Sequence, residues 1–284
     1  MTRSPITVPQ SAMKRAMKMT EAIATAHRAK KPKLVRQLVG RYLKSYDAKR
    51  VAVRKAYKAL RRPGPKANVN ALAAKLLPWE PSNEPARLFL KKKGTTGNYR
   101  TILDFELENR ARQHLVKDAI APTVDLHPRQ YGTIGVHAAI KSVAESMAQG
   151  YVWGFEIDIS NCFPSFEEER LHEFLPLPKR VIRHVIMASH LNITSGNVRD
   201  IFGPAENGVD PILVTEHLAE ARQGIPQGSA VSNLVSEILL AVPFKKLPTC
   251  GVATGYADNV LLLAKNKEDA VTMMEALEAD PKLS

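Results

Sequence analysis

Apolar and polar positions alternate along Trp153-Gly154-Phe155-Glu156-Ile157-Asp158-Ile159. With a period of two, Phe155, Ile157 and Ile159 turn toward a core, and Glu156 and Asp158 toward the opposite face. Further on, the short runs Cys250–Thr254 and Leu261–Ala264 flank Gly255-Tyr256-Ala257-Asp258-Asn259-Val260. This pattern predicts a tight β-hairpin whose turn holds Asp258 where two strands meet. Before it lies a Gly- and Pro-rich loop, Gln223-Gly224-Ile225-Pro226-Gln227-Gly228-Ser229, running into Ala230–Leu240, which reads as a buried helix. A loop that feeds a helix N-terminus offers backbone N–H donors to an anion.

Toward the N-terminus the period becomes helical. After a loose tail over residues 1–10, Ser11 to about Leu60 reads as helix, with Pro32 breaking one helix from the next. Leu34, Val35, Leu38, Val39, Tyr42 and Leu43 form an apolar face and the basic residues the other. Arg61-Arg62-Pro63-Gly64-Pro65 is a breaker cluster and marks a boundary. Leu88–Lys93, Gly94–Asn98 and Tyr99–Leu103 predict a hairpin with a basic tip. That tip serves either to neutralise a phosphate or to discourage edge pairing. A helix over Asp104–Ile120 is closed by Pro122, and a Gly-rich segment from Arg129 leads into an amphipathic helix ending near Gly150. Residues 167–222 read as helices with a polar loop over Asn192–Asp210, and a last helix spans Glu268–Ala279.

Charge sharpens this picture. The net charge of +13 is unevenly placed, because residues 1–68 hold 19 Lys/Arg against 2 Asp/Glu and the rest hold 22 against 26. A basic arm on a slightly acidic body points to nucleic acid, whose phosphates it neutralises with release of counterions. Two cysteines, Cys162 and Cys250, make no disulfide framework and no zinc-ligand spacing. No apolar run reaches membrane-spanning length and the N-terminus lacks a secretory apolar core, so an intracellular soluble protein is expected.

In order, the Asp158 strand, the Gln-Gly…Gly-Ser loop with its helix, and the Tyr256-Ala257-Asp258 hairpin resemble the three central motifs of the reverse transcriptase palm. The resemblance runs from about Leu88 to the end of the chain. It implies an α+β fold, a right-hand palm of antiparallel strands with fingers, preceded by the basic helical extension. The domains expected are 1–68 (extension), 69–150 (fingers) and 151–284 (palm, with an insertion at about 167–222). The Leu88–Leu103 hairpin is similar to the fingers hairpin of retroviral-type enzymes, which implies triphosphate contacts from Arg100 and Lys92. Arg129–Ile140 resembles a fingers motif of bacterial retron and group II intron enzymes that lines the template path.

The resemblance further implies an RNA-directed DNA polymerase working with two divalent ions, Mg²⁺ or Mn²⁺, on deoxynucleoside triphosphates. Asp158, Asp258 and the Ile159 carbonyl would be the metal ligands, with Asn259 beside them in the catalytic set. Gln223 and Gly224 would abut the incoming nucleotide. Phe163, five residues after Asp158, would either sit under the sugar and exclude a 2′-hydroxyl or serve only as core. The expected partners are an RNA template, in particular a structured noncoding RNA, a DNA product, and a protein partner or thumb supplied from elsewhere. The expected setting is a bacterial cytoplasm, in a retroelement or antiphage-defence system.

Two features depart from the family. Asn259 stands where a second aspartate is usual, keeping the shape and removing one negative charge. Only 25 residues follow it, without the thumb the family normally adds. A catalytically impaired, RNA-binding scaffold is therefore the alternative expectation, and an RNA-dependent RNA polymerase the third.

Overall fold

The computed structural model describes residues 7–60, 68–92, 99–159, 161–195 and 211–279. The breaker cluster at 61–65, the hairpin tip and most of the polar loop after Asn192 lie outside the described residues. The fold is α+β and divides into two compact units, Met1–Thr123 with Phe163–Ser232, and Val124–Cys162 with Asn233–Ser284.

In the first unit the basic N-terminal segment forms three helices, Gln10–Arg28, Pro32–Lys44 and Tyr46–Ala59. Pro32 occupies the first helical position, where its missing N–H would have no partner anyway. A second break falls at Ser45, unmarked in the sequence reading: its hydroxyl accepts the Ala48 N–H and caps the third helix. Small and branched residues such as Ala12, Ile23, Val39 and Val53, together with the aromatic Tyr42, are buried along the inner faces. Lys14, Lys18, Lys30, Lys31, Lys33, Arg36, Arg41 and Lys44 are exposed.

Strands β1 (Ala86–Lys92) and β2 (Tyr99–Phe105) pair antiparallel, and β4 (Ile193–Thr194) adds to the other edge of β1 in parallel. Leu88, Leu90, Leu103, Phe105 and Ile193 form their core. The helix predicted over Asp104–Ile120 begins instead at Leu107. Glu84 supplies its cap, accepting the Glu108 and Asn109 N–H groups at 3.0 and 2.9 Å. Buried Arg112 donates to the carbonyls of Leu77 and Glu80.

The second unit is built on β3 (Trp153–Asp158), β5 (Gly251–Tyr256) and β6 (Asn259–Ala264), in the order β3-β6-β5 and antiparallel throughout. Central β6 buries Val260, Leu262 and Ala264, against Ala253, Phe244, Met273 and Leu277. On β3, Phe155 and Ile157 are half-buried while Glu156 and Asp158 are exposed, the alternation of a one-sided strand. The helices Val136–Ala148, Ser232–Lys246 and Lys267–Glu278 complete the unit. No described helix is long and apolar enough to cross a membrane.

Candidate active site

In the second unit the hairpin turn consists of Ala257 and Asp258, and Asn259 is the first residue of β6. Asn259 lies opposite Tyr256 on one side and opposite Asp158 on the other. The Ile159 N–H donates to the Asp258 carbonyl at 3.1 Å, which ties the end of the first strand to the turn. The Asn259 amide donates to Asp258 Oδ1 at 3.1 Å. Asp158, Ile159, Asp258 and Asn259 are thus brought together by sheet register alone. Both carboxylates also bear on the Cys162 thiol. Burial chiefly pushes that thiol up to about 11; Ser236, 3.7 Å away, opposes this, and the fields of Asp258 and Asp158 add to it.

The turn carries strain. Ala257 has a φ of 54°, a left-handed conformation that disfavours a β-carbon by about 1–2 kcal/mol. The buried Glu237, from the helix Ser232–Lys246, lies behind it. Its Oε1 accepts the Gly132 N–H at 2.8 Å, and the Ala257 N–H lies against the same carboxylate. Burial outweighs these two donors and pushes the Glu237 carboxyl up to about 7.

The donor set fits a hard divalent ion. The two carboxylates are exposed or half-exposed, and the nearby sulfur is held as a buried thiol rather than a thiolate. Among the described residues no group of three His, Cys, Asp or Glu could enclose a metal. An ion held by Asp158 and Asp258 would take most of its ligands from water and substrate, as Mg²⁺ commonly does. The Ile159 carbonyl already accepts the Cys162 N–H at 3.2 Å and has one lone pair left to offer.

In the first unit Phe163, Gln223 and Gly224 meet. The Ile225 N–H donates to the Phe163 carbonyl at 2.9 Å, and the Gly224 carbonyl accepts the Ala188 N–H at 2.8 Å. Gly224 has a φ of 54°, and a β-carbon there would collide with the Phe163 carbonyl. Gly224 is buried and acts on Phe163 through the backbone, whereas Gln223 is exposed. Phe163 and Gln223 border a shallow open cleft of about 270 Å³, solvent included, with Thr101, Glu220 and Gln227. Thr101 donates to Glu220 Oε2 at 2.6 Å, and His217 Nδ1 lies 2.9 Å from the same oxygen.

Thr101, Glu220 and Gln227 were not singled out in the sequence. Gln227 had a legible signal, because its loop was already marked, and the chain closes on it: the Leu103 N–H donates to its carbonyl at 2.8 Å. Arg100 is exposed and neighbouring Thr101 buried, so they stand on opposite faces of β2, and the cleft is lined from the Thr101 face. Lys92 ends β1 opposite Tyr99.

Comparison with known proteins places these two clusters in a family. No curated protein matches the chain by sequence. Two solved structures similar to it are the partial Cas6-RT-Cas1--Cas2 complex and the Cas6-RT-Cas1--Cas2 complex, each 14% identical at a TM-score of 0.29. The likeness covers 78% of this chain and 38% and 24% of theirs, so the chain spans well under half the length of either. The family assignment rests on sequence instead: residues 90–282 match the model of reverse transcriptase (RNA-dependent DNA polymerase). That match takes in both the Asp158–Asp258 hairpin and the Phe163–Gln223 cleft, and the chain belongs to the reverse transcriptase family, fingers and palm region included.

Proposed function

We propose that this chain is an RNA-directed DNA polymerase that extends a primer with deoxynucleotides. The observation that supports this reading most is the meeting of Asp158, at the end of β3, with the turn that holds Asp258, within a family-matched region. Divalent ions held by these carboxylates would activate the primer hydroxyl and stabilise the leaving pyrophosphate. The chain's own residues do the rest. The Gly224 backbone fixes Phe163, buried to 7% exposure, so that a ring wedged in place can exclude a 2′-hydroxyl sterically. Gln223 borders the nucleotide while Gly224 acts only through Phe163, and Arg100 and Lys92 neutralise its phosphates. The exposed cations of the three N-terminal helices hold the RNA template by its phosphates.

On this reading residues 1–68 form the basic extension, 69–150 the fingers and 151–284 the palm. The template is a structured noncoding RNA, a protein partner joins the chain, and the setting is a retroelement or defence system in a bacterial cytoplasm. Asn259, hydrogen-bonded to Asp258 where a second carboxylate is usual, favours a second reading, an RNA-binding scaffold with an impaired site.

Primer extension on an RNA template with Mg²⁺ separates these. Deoxynucleotide incorporation that is lost in Asp158→Ala and rises in Asn259→Asp is the expected result. Equal use of ribonucleotides would turn the assignment to an RNA-dependent RNA polymerase. RNA binding without synthesis in either form would support the scaffold.

A further inference from the structure

We infer that Glu237 is a positioning residue: its carboxylate, set between Gly132 and Ala257, fixes the direction in which Asp258 leaves the hairpin turn. The inference rests on the reading of Asp258 as a metal ligand and adds a residue that does not itself touch the ion.

Three observations carry it. First, Glu237 is only 1% exposed and sits within an apolar helix, where an unpartnered carboxylate is costly to bury. Its Oε1 has the Gly132 N–H as its hydrogen-bond partner and the Ala257 N–H close by, while its Oε2 is buried with no hydrogen-bond partner. Second, the same residue grips one of those segments twice, because its main-chain carbonyl accepts the Gln130 side-chain amide at 2.9 Å. Third, that segment runs along β5 beside the turn. Tyr131 N–H donates to the Gly255 carbonyl at 2.8 Å, and Gly255 N–H to the Arg129 carbonyl at 2.9 Å. A β-carbon at Gly132 would collide with Glu237 Oε1, so the close approach demands glycine.

Ala257 adopts a positive φ without glycine's freedom. Its N–H lies beside the buried carboxylate and against the Gly132 backbone, and this packing backs the turn in that conformation. Asp258 follows directly, and its carbonyl accepts the Ile159 N–H from the first strand. The direction of the Asp258 side chain is therefore set from behind by Glu237 and from beside by β3.

The test uses the whole chain and Mn²⁺ alone as probe, with free Mn²⁺ read by electron paramagnetic resonance and amide exchange read by NMR. Glu237→Ala is expected to weaken Mn²⁺ binding about tenfold, as loss of a group that orients a metal ligand does. It should also speed Ala257 exchange about tenfold while Leu262 stays protected. Glu237→Gln keeps an acceptor oxygen and should stay within about threefold of wild type in both readouts. A folded alanine variant with wild-type Mn²⁺ affinity, or one changed in melting temperature alone, overturns the proposal. If Asp258→Ala binds Mn²⁺ as wild type does, the metal reading has failed, and Ala257 exchange alone then judges Glu237. If the alanine variant does not fold, the wild-type chain decides: Ala257 must exchange at least about tenfold more slowly than Asp258, and equal rates overturn the inference.

Discussion

Asn259→Asp should weaken the hairpin without metal and strengthen it with metal. The Asn259 amide donates to Asp258 Oδ1 at 3.1 Å, and the same residue faces Asp158 across β3 and β6. Substitution replaces a donor with a like charge beside two carboxylates. Unit charges about 4 Å apart in water-like surroundings repel by about 1 kcal/mol, and the lost exposed hydrogen bond adds about 0.5 kcal/mol. Salt screening and side-chain freedom reduce the sum, so the metal-free chain should lose about 1 kcal/mol. For a divalent ion the sign reverses. A further carboxylate about 4 Å from a doubly charged ion gains about 2 kcal/mol at the same dielectric; the repulsion is present with and without the ion and cancels from the affinity, while the metal-bound chain ends about 1 kcal/mol more stable. Affinity for Mn²⁺ should then rise by up to about thirtyfold. Urea unfolding in chelator and in Mn²⁺, with Mn²⁺ titration of both forms, reads these quantities. An Asn259→Asp chain as stable as wild type in chelator, with unchanged Mn²⁺ affinity, would refute the view that the three side chains share one field.

Three further predictions concern the scaffold. Gly224→Ala places a methyl against the Phe163 carbonyl at a φ of 54° and should cost about 2–3 kcal/mol in urea unfolding; a loss under about 0.5 kcal/mol would contradict that packing. Two buried groups should tilt stability against pH in opposite directions. Burial raises Glu237 to about 7, so the stability it contributes is present below its unfolded value and is lost as pH rises through 7. Burial lowers His114 to about 4, so its contribution is present above its unfolded value near 6.5 and is lost as pH falls through 4. Between about pH 4.5 and 6.5 the two slopes oppose each other and the urea midpoint should stay nearly level; Glu237→Gln should leave a midpoint that rises from pH 4 to 6.5, and a level midpoint in that variant would be inconsistent with the burial of His114. Cys162, buried with its thiol pushed up to about 11, should resist iodoacetamide at pH 8 while half-buried Cys250 is modified first; the reverse order by mass spectrometry would show that the Cys162 environment is wrong.

Local pattern decided a good deal of this protein. The period of two through Phe155, Ile157 and Ile159 placed Asp158 on the exposed face of a strand, because a pleated backbone leaves no other choice once one face is buried. The Asp258 turn followed from short apolar runs on both sides of it, and the helical character of the N-terminal segment with its break at Pro32 from helical spacing, whereas the break at Ser45 did not show. Tertiary structure alone decided the rest. Nothing near Glu84 marks it as the cap of a helix 24 residues on. Ile193–Thr194 is too short to show a period, and it becomes a strand only because β1 offers an open edge. Glu237 reads in sequence as one polar residue in a buried helix, yet its partner Gly132 lies 105 residues away. Periodicity is enforced between neighbours by steric repulsion, so the chain displays it; a contact across 105 residues exists only when the packed core holds both ends still.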